Sequence, residues 1–184
     1  AASLSRILAQ TGVTKGALYH HFSSKLVLGY AVLDECFAPD LRRHWIDPLI
    51  GNDVDPMQTL VDSIRRTGQG MKKGDVLLGC PVNNLAQEMS PVDEGFRLRI
   101  ETLFDEWRSV TESALRRAQE SGRLAGGADV VALAAFIVAS LEGCIGMAKN
   151  AQSRRILLHC GAGLVDYLQT LRDGAGSVSR TNND

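Results

Sequence analysis

Proline is scarce in this 184-residue chain, and the alternating pattern that marks a β-strand is missing. The five prolines, at positions 39, 48, 56, 81 and 91, stand at expected helix junctions. No stretch alternates Val, Ile or Thr with polar residues over the length of a strand. Because apolar residues recur at helical spacing along most of the chain, we predict an all-α protein.

Metal-binding and catalytic signatures are also missing. The four cysteines, Cys36, Cys80, Cys144 and Cys160, include no CxxC pair, and no histidine lies at metal-ligand spacing from them. Together with the lack of a secretory signal, this favours reduced thiols, a cytoplasmic location and no metal. No phosphate loop, zinc-binding helix or serine elbow occurs, so we predict no cofactor and no enzymatic activity.

Charge is nearly balanced overall but unevenly distributed. The net charge is −1, yet the first 33 residues carry +3 from Arg6, Lys15 and Lys25, which leaves −4 for the rest. A basic N-terminal segment on a slightly acidic body is typical of a small DNA-reading head.

One apolar run is long enough to span a bilayer. Residues 130–148 contain a single charged side chain, Glu142. That internal carboxylate, together with Gly143 and Gly146 and the lack of flanking aromatic residues, favours a helix buried in protein. We therefore predict no membrane partner.

Turn and capping signals divide the chain into helices. Gly12 is a predicted left-handed C-cap, and Thr14 is a predicted N-cap for a helix over Lys15–Phe22. Ser23 or Ser24 would cap the next helix, from Lys25 to about Trp45. The later predicted helices run from Met57 to about Lys72 (ended by Gly74-Asp75), from Pro81, from Ser90-Pro91 to near Gly122, and over 129–149 and 153–172.

The segment from Leu4 to Leu28 has the features of a helix-turn-helix. The pair needs a tight turn, which Gly12 supplies, and an apolar lock, for which the candidates are Ile7, Leu8, Val13, Leu18 and Phe22. Left exposed on the second helix are Lys15, Gly16, Ala17, Tyr19 and His20. Small residues admit a helix deep into the major groove, while the longer side chains offer donors to phosphates or base edges.

The run Ile7-Leu8-Ala9-Gln10-Thr11-Gly12-Val13-Thr14-Lys15-Gly16-Ala17-Leu18-Tyr19-His20-His21-Phe22, followed by Ser24-Lys25, resembles the signature of the TetR/AcrR family. The resemblance covers residues 3–33. The segment Gly79–Glu88 is similar to a G-C-x-x-x-N-L-A-x-E stretch of one family branch. The resemblance implies a DNA-binding transcriptional regulator, a homodimer that binds a double-stranded operator and responds to a small-molecule effector.

The resemblance also implies individual roles at the DNA. Thr14 caps the recognition helix beside a phosphate, and Lys15 and Ala17 face base edges next to the small Gly16. Tyr19 and His20 contact the DNA backbone, and Lys25 contacts a phosphate. Family members have one helix before the helix-turn-helix, and this chain is expected to lack it. We predict a DNA-binding domain over 1–33 that continues into a linker helix (25–47), a ligand-binding and dimerisation domain over 48–173, and a disordered tail over 174–184.

Two surfaces are predicted in the larger domain. The dimer would form through helices 129–149 and 153–172, using the small side chains Ala132, Ala135, Ala139, Gly143 and Gly146, and a seam of Leu157, Cys160, Gly161, Leu164 and Leu168. A ligand pocket would use Phe104 and Trp107 as walls, Asn83, Asn84 and Glu142 as polar groups, and Met147 as a flexible filler.

Three alternatives remain open from the sequence. Cys80 precedes Pro81 at a predicted helix start, where the helix dipole lowers a thiol pKa, so it is a candidate redox or electrophile sensor. A thiol enzyme is disfavoured because the neighbours His159 and Cys160 would point about 100° apart on a helix. The third alternative is a helical dimerisation module without DNA-binding activity.

Overall fold

The computed structural model describes residues 3–51 and 55–178, the last six of these by backbone alone. This part of the chain is helical and contains no strand, as predicted. In chain order its α-helices are α1 (Leu4–Thr11), α2 (Lys15–His21), α3 (Lys25–Val32), α4 (Ala38–Leu41), α5 (Pro56–Gly70), α6 (Lys73–Leu78), α7 (Pro81–Met89), α8 (Glu94–Glu120), α9 (Val130–Ala151) and α10 (Arg154–Val178).

Residues 25–49 form one helical run, here called the connecting helix. In it α3 and α4 are joined by a π-helical segment, Leu33–Phe37, and a second π-helical segment and a 3-10 turn follow α4. The prediction that every proline marks a helix junction is wrong for Pro39, which lies inside this run. Proline lacks an N–H and cannot make the usual bond to the residue four back. The hydrogen bonding shifts just before it, where the Ala38 N–H reaches the Leu33 carbonyl, five residues back.

The caps predicted near the N-terminus are confirmed. Gly12 has a φ of 70°, and its N–H donates to the Leu8 carbonyl. The Thr14 hydroxyl accepts from the Ala17 N–H at 3.2 Å, and the Ser24 hydroxyl accepts from the Val27 N–H at 3.2 Å. These bonds satisfy N–H groups that a helix start otherwise leaves free.

Three predicted boundaries are wrong. Gly74-Asp75 does not end a helix but lies in the first turn of α6, where the Asp75 carboxylate accepts from the Lys72 N–H at 2.8 Å. Ser90-Pro91 belongs to a turn, and α8 starts at Glu94 behind the N-cap Asp93. The tail predicted from residue 174 is helical as far as Val178, and residues 179–184 lie outside the described part.

The core is built around α8. Trp107 of α8 is fully buried and stacks on Trp45 of the connecting helix, with ring centroids 5.5 Å apart. α9 packs against α8, and α10 packs against both α9 and α5. The connecting helix therefore contributes directly to the core of the larger domain.

Within the described residues, α9 is the helix that is long and apolar enough to cross a membrane. Its most apolar window has a mean hydropathy of 2.1, and half of that window is buried in the protein. Val130, Ile137 and Leu141 are among its side chains in the core. Because a core helix of a soluble protein has the same composition, the length and hydropathy of α9 are weak grounds for a membrane span.

Candidate nucleic-acid interface and ligand cavity

The two short N-terminal helices are held in place by the Gly12 turn and by half-buried apolar side chains. Ile7, Leu8, Leu18 and Phe22 are half-buried, as expected of a lock between the helices. Val13 was predicted to join them, but its side chain is exposed, because it lies in the turn between α1 and α2.

The face of α2 predicted to meet DNA is open. Lys15, Gly16, Ala17, Tyr19 and His20 are all exposed, and no atom lies within 4 Å of the position that a Gly16 side chain would occupy. The Lys15 ammonium stands 5.9 Å from the centre of the Tyr19 ring. Donors and small residues thus share one accessible helix, the arrangement that a groove-reading helix requires.

Two further predicted residues flank this helix. Thr14 is exposed at its N-terminus, with its hydroxyl engaged in the cap. Lys25 is exposed at the first position of α3, just behind the Ser24 cap. The predicted DNA-binding residues therefore lie along a segment of twelve positions that starts at Thr14 and ends at Lys25.

The larger domain contains a cavity of about 870 Å³. The connecting helix forms one wall, and α5, α6 and the start of α7 form the others. Its lining mixes apolar with charged and polar side chains, among them Phe37, Asp40, Leu41, His44, Trp45, Ser63, Arg66, Thr67, Cys80 and Asn84. A second cavity of about 220 Å³ lies next to it and shares Trp45, Thr67 and Ile145. The larger volume falls in the range of small-molecule sites.

The residues predicted for the ligand pocket are distributed differently from the expectation. Asn84 lines the larger cavity, but its amide donates to the Leu78 carbonyl and accepts from Lys149, both at 2.7 Å. Phe104 is half-buried against the core, and Trp107 lies beneath Trp45, so neither lines the two cavities. Met147 is 62% exposed on α9, which places it outside both cavities, contrary to the prediction.

The connecting-helix residues of the cavity wall were missed by sequence reasoning. Phe37, Leu41, His44 and Trp45 were assigned only to a linker. The sequence did contain a signal for them, because the predicted helix from Lys25 to about Trp45 has apolar residues at helical spacing and is longer than a linker needs to be. Arg66 was missed because its guanidinium, which donates to the Ser63 hydroxyl at 3.1 Å, lies on a helix with no motif.

Glu142 is buried, with 8% of its surface exposed, and neither carboxylate oxygen has a hydrogen-bond partner among the described residues. No arginine of the described residues therefore hydrogen-bonds to it. Burial raises the pKa of Glu142 to about 6, while the neighbouring side chains of Cys80 and Asn83 oppose that rise. Asn83, predicted as a ligand contact, is thus a neighbour of this carboxylate.

The cysteines depart from prediction in two ways. Burial, and then the Glu142 charge, raise the pKa of the Cys80 thiol to about 12, so the expected lowering by the helix dipole is overridden. A neutral thiol is a poor nucleophile, which weakens the case for Cys80 as an electrophile sensor. The four cysteines are also not all reduced, because Cys144 and Cys160 form a disulfide between α9 and α10.

Comparison with known proteins agrees with this architecture. Residues 56–162 match the domain family described as "Transcriptional regulator LmrA/YxaF-like, C-terminal domain", and residues 1–28 match "Bacterial regulatory proteins, tetR family". The chain is 32% identical over 149 residues to the transcriptional regulator AcuR of Cereibacter sphaeroides, which covers 79% of the chain and 66% of AcuR. It is 30% identical over 159 residues to the repressor DhaR of a Mycobacterium species, with coverages of 85% and 76%.

The chain belongs to the TetR family. A solved TetR-family structure from Rhodobacter sphaeroides superposes with a TM-score of 0.79 at 27% identity, covering 90% of this chain and 87% of that one. Reduced NemR of E. coli shares the fold, with a TM-score of 0.75 at 21% identity over 92% of this chain and 84% of NemR. This TetR-family chain is accordingly a DNA-binding transcriptional regulator and not an enzyme.

TetR-family regulators typically dimerise. In this chain the side of α9 that points away from the core is exposed. The small residues singled out in the sequence are exposed along it, namely Ala132, Ala135, Ala139, Gly143 and Gly146, together with Val131, Phe136 and Met147. The predicted seam on α10 is wrong, because Leu157, Leu164 and Leu168 are buried in the core. The opposite face of α10 is exposed instead, with Leu158, Ala162 and Tyr167, and the Tyr167 ring lies 5.4 Å from that of Phe136.

Proposed function

We propose that the chain is a cytoplasmic repressor that binds its operator as a homodimer and releases it when a small molecule enters the 870 Å³ cavity. One observation carries this proposal. The connecting helix begins at Lys25, beside the DNA-reading helix, and its other end, from Phe37 to Pro48, lines the cavity. A ligand that displaces the cavity wall therefore acts on the same rigid element that holds the head.

The DNA-binding domain comprises residues 1–33, and the ligand-binding and dimerisation domain comprises residues 48–173. In this proposal α2 enters the major groove, with Lys15 and Ala17 at base edges and Gly16 allowing close approach. Tyr19 and His20 contact the sugar-phosphate backbone, as do the flanking Thr14 and Lys25. The exposure of all these side chains supports the assignment.

The connecting helix is held against the N-terminal end of α8 by two side-chain contacts, here called the fulcrum. The Tyr30 hydroxyl donates to the Asp93 carboxylate at 2.6 Å, and the Arg99 guanidinium donates to Asp34 at 3.0 Å. These contacts lie between Lys25 and the cavity wall. Pressure from a ligand at the wall would therefore turn the head about this point, and the two heads of a dimer would lose the spacing of about 34–36 Å that successive major grooves demand.

The dimer would form by packing the exposed faces of α9 and α10 against their copies in a second chain. Small residues let two helices approach closely, and the aromatic pair of Phe136 and Tyr167 adds apolar area at the same face. Such a two-fold interface uses the same patch on both subunits.

The DNA-binding half is tested by selecting an operator from random duplex DNA and measuring affinity by fluorescence anisotropy over a range of salt concentrations. Replacing Tyr19 and Lys25 together by alanine should weaken binding at least about tenfold and lower the salt slope by about 1. Lys73→Ala, an exposed lysine on α6, is the charge-matched control and should bind normally. Normal binding by the double variant would refute the assignment of the head.

The ligand-binding half is tested by screening small molecules for release of that operator. Thr67→Phe, which places a ring at a residue shared by both cavities, should abolish release by any active compound while operator binding persists. A compound that still makes this variant release the operator would have to bind outside the cavity, and the assignment of the cavity as the effector site would then be wrong.

A further inference from the structure

Sulfur atoms gather where the C-terminal half of α9 meets the start of α10. Cys144 is 3% exposed and belongs to a small apolar cluster with Val76, Ile145, Ala148 and Leu157. Cys160 and the thiol-bearing Cys80 pack against the same cluster. The disulfide joins Cys144 to Cys160 across α-carbons 5.6 Å apart, so α9 and α10, which both have an exposed face, are covalently tied to each other.

We propose that Cys144 and Cys160 form a reversible redox site, and that their oxidation by a peroxide or a small-molecule disulfide lowers operator affinity. This regulation goes beyond effector binding, because it requires no occupant in the cavity. In a reducing cytoplasm the pair would exist as two thiols, and the bond would form when an oxidant appears.

The chemistry balances without further components. With hydrogen peroxide, two thiols lose two electrons and two protons, the sulfur–sulfur bond forms, and two molecules of water leave. In the reverse direction, a small thiolate attacks the half-buried Cys160 sulfur and expels the Cys144 thiolate, which takes up a proton. A second small thiolate then attacks the mixed disulfide at its outer sulfur and frees Cys160, which is protonated in turn.

Neither of the other two cysteines competes for this bond. Cys80 packs against the cluster but is a free thiol in the structure, whereas Cys144 and Cys160 are bonded to each other. Cys36 is exposed on the connecting helix, outside the cluster. Both reduced thiols of the pair also suit an apolar site, because a buried cysteine behaves as a small hydrophobic residue, so the protein remains folded in either state.

The site is positioned to affect the rest of the molecule. Cys144 lines the smaller cavity, which shares Trp45 of the connecting helix with the larger one. The start of α10 is already held to α5, because the Arg154 guanidinium donates to the carbonyls of Gly68, Gln69 and Met71. The disulfide adds a link from α10 to α9. Oxidation thus ties together, within each subunit, the two helices of the proposed dimer interface. This restricts the spacings that the two DNA-binding domains can sample and lowers the fraction that matches successive grooves.

The test compares the reduced and oxidised full chain. Protein is equilibrated in glutathione buffers with a rising share of the oxidised form and is then denatured in N-ethylmaleimide, so that buried thiols are trapped as well. The adducts are counted by mass spectrometry. Operator affinity is measured on the same samples without any effector. We expect loss of two trapping sites, at Cys144 and Cys160, and operator binding about fivefold weaker in the oxidised protein.

Variants assign the effect to the bond. Cys160→Ala and Cys144→Ala should each bind the operator equally well under both conditions, and Cys160→Ala, at the half-buried position, guards against misfolding of the other. Cys36→Ala, at an exposed free cysteine that lines neither cavity, should keep the full difference. The proposal would be overturned if N-ethylmaleimide labelled both Cys144 and Cys160 in every glutathione buffer. It would also be overturned if the oxidised protein bound the operator as tightly as the reduced protein. Thiol trapping needs no DNA, so a failure here is distinct from a chain that binds no operator.

Discussion

At the scale of single residues, Glu142 has the clearest physical cost. A buried carboxylate loses its hydration, and for Glu142 the nearby side chains of Cys80 and Asn83 compensate for that loss only in part. The pKa of Glu142 is raised from 4.5 to about 6, so the folded protein holds this proton up to a higher pH than the unfolded chain does. Between pH 4.5 and 6 the folded state binds more protons than the unfolded state, so the free energy of unfolding falls as pH rises through that window.

Glu142→Gln should therefore stabilise the protein at pH 8. One pKa unit corresponds to 1.36 kcal/mol, so the gain in the free energy of unfolding is about 1–2 kcal/mol. The gain should disappear near pH 4.5, where Glu142 is itself protonated. Urea unfolding at several pH values measures both numbers. Glu88→Gln, an exposed glutamate on α7, is the control and should show neither effect. A pH-independent gain would mean that charge is not the cause.

The residues whose roles were predictable from sequence are those set by local geometry. The Gly12 turn and the Thr14 cap depend on neighbours within four positions, and both are as predicted. Glu142 and Met147 illustrate the opposite case. They are five positions apart on α9, yet one is buried and the other is 62% exposed. Which side of a mostly apolar helix faces the core is determined by distant packing partners.

At the scale of elements, the connecting helix depends on its contact with the N-terminus of α8. Asp93 serves two groups there, because its carboxylate caps α8 through the Phe96 N–H and also accepts from the Tyr30 hydroxyl. That hydrogen bond raises the pKa of Tyr30 and lowers the pKa of Asp93. The Tyr30 ring packs edge-on against Phe96, and the Arg99 guanidinium lies 4.2 Å from the centre of the Tyr30 ring.

Tyr30→Phe keeps the ring contact with Phe96 and removes only the hydrogen bond to Asp93. The head is then held less firmly, and we expect the operator dissociation constant to rise about threefold or more. Anisotropy titration with the selected operator gives this value. Arg97→Ala, which removes an ion pair with Glu94 on the same helix, should leave it unchanged. Equal effects of the two variants would show that the fulcrum has no special role.

The ends of helices were predictable where a single strong capping residue is present. They were not predictable where two possible capping signals lie close together. The turn at Ser90-Pro91 resembled a helix start, but Asp93 supplies the better N-cap because its carboxylate accepts from the Phe96 N–H at 2.9 Å. On α10 the apolar stripe was visible in the sequence, but periodicity does not say whether such a stripe faces its own core or a second chain.

At the scale of the whole molecule, the exposed face of α9 should decide the oligomeric state. Phe136 lies on this face and is 50% exposed, so Phe136→Glu places a charge in the proposed interface. We expect a monomer in light-scattering measurements and operator affinity lowered about a hundredfold, because two linked heads bind far better than one. Leu98→Glu, at a residue 51% exposed on α8, is the matched control. A dimeric Phe136→Glu protein would show that the interface lies elsewhere.

The sequence alone determined the helical class, the helix-turn-helix with its exposed donors, and the small-residue face of α9, because each follows from residues near one another in the chain. Only the tertiary structure determined that the connecting helix forms a cavity wall, that Glu142 is buried without a hydrogen-bond partner among residues 3–51 and 55–178, and that Cys144 meets Cys160. Those features join residues from different helices, and their distances depend on how all the helices pack together.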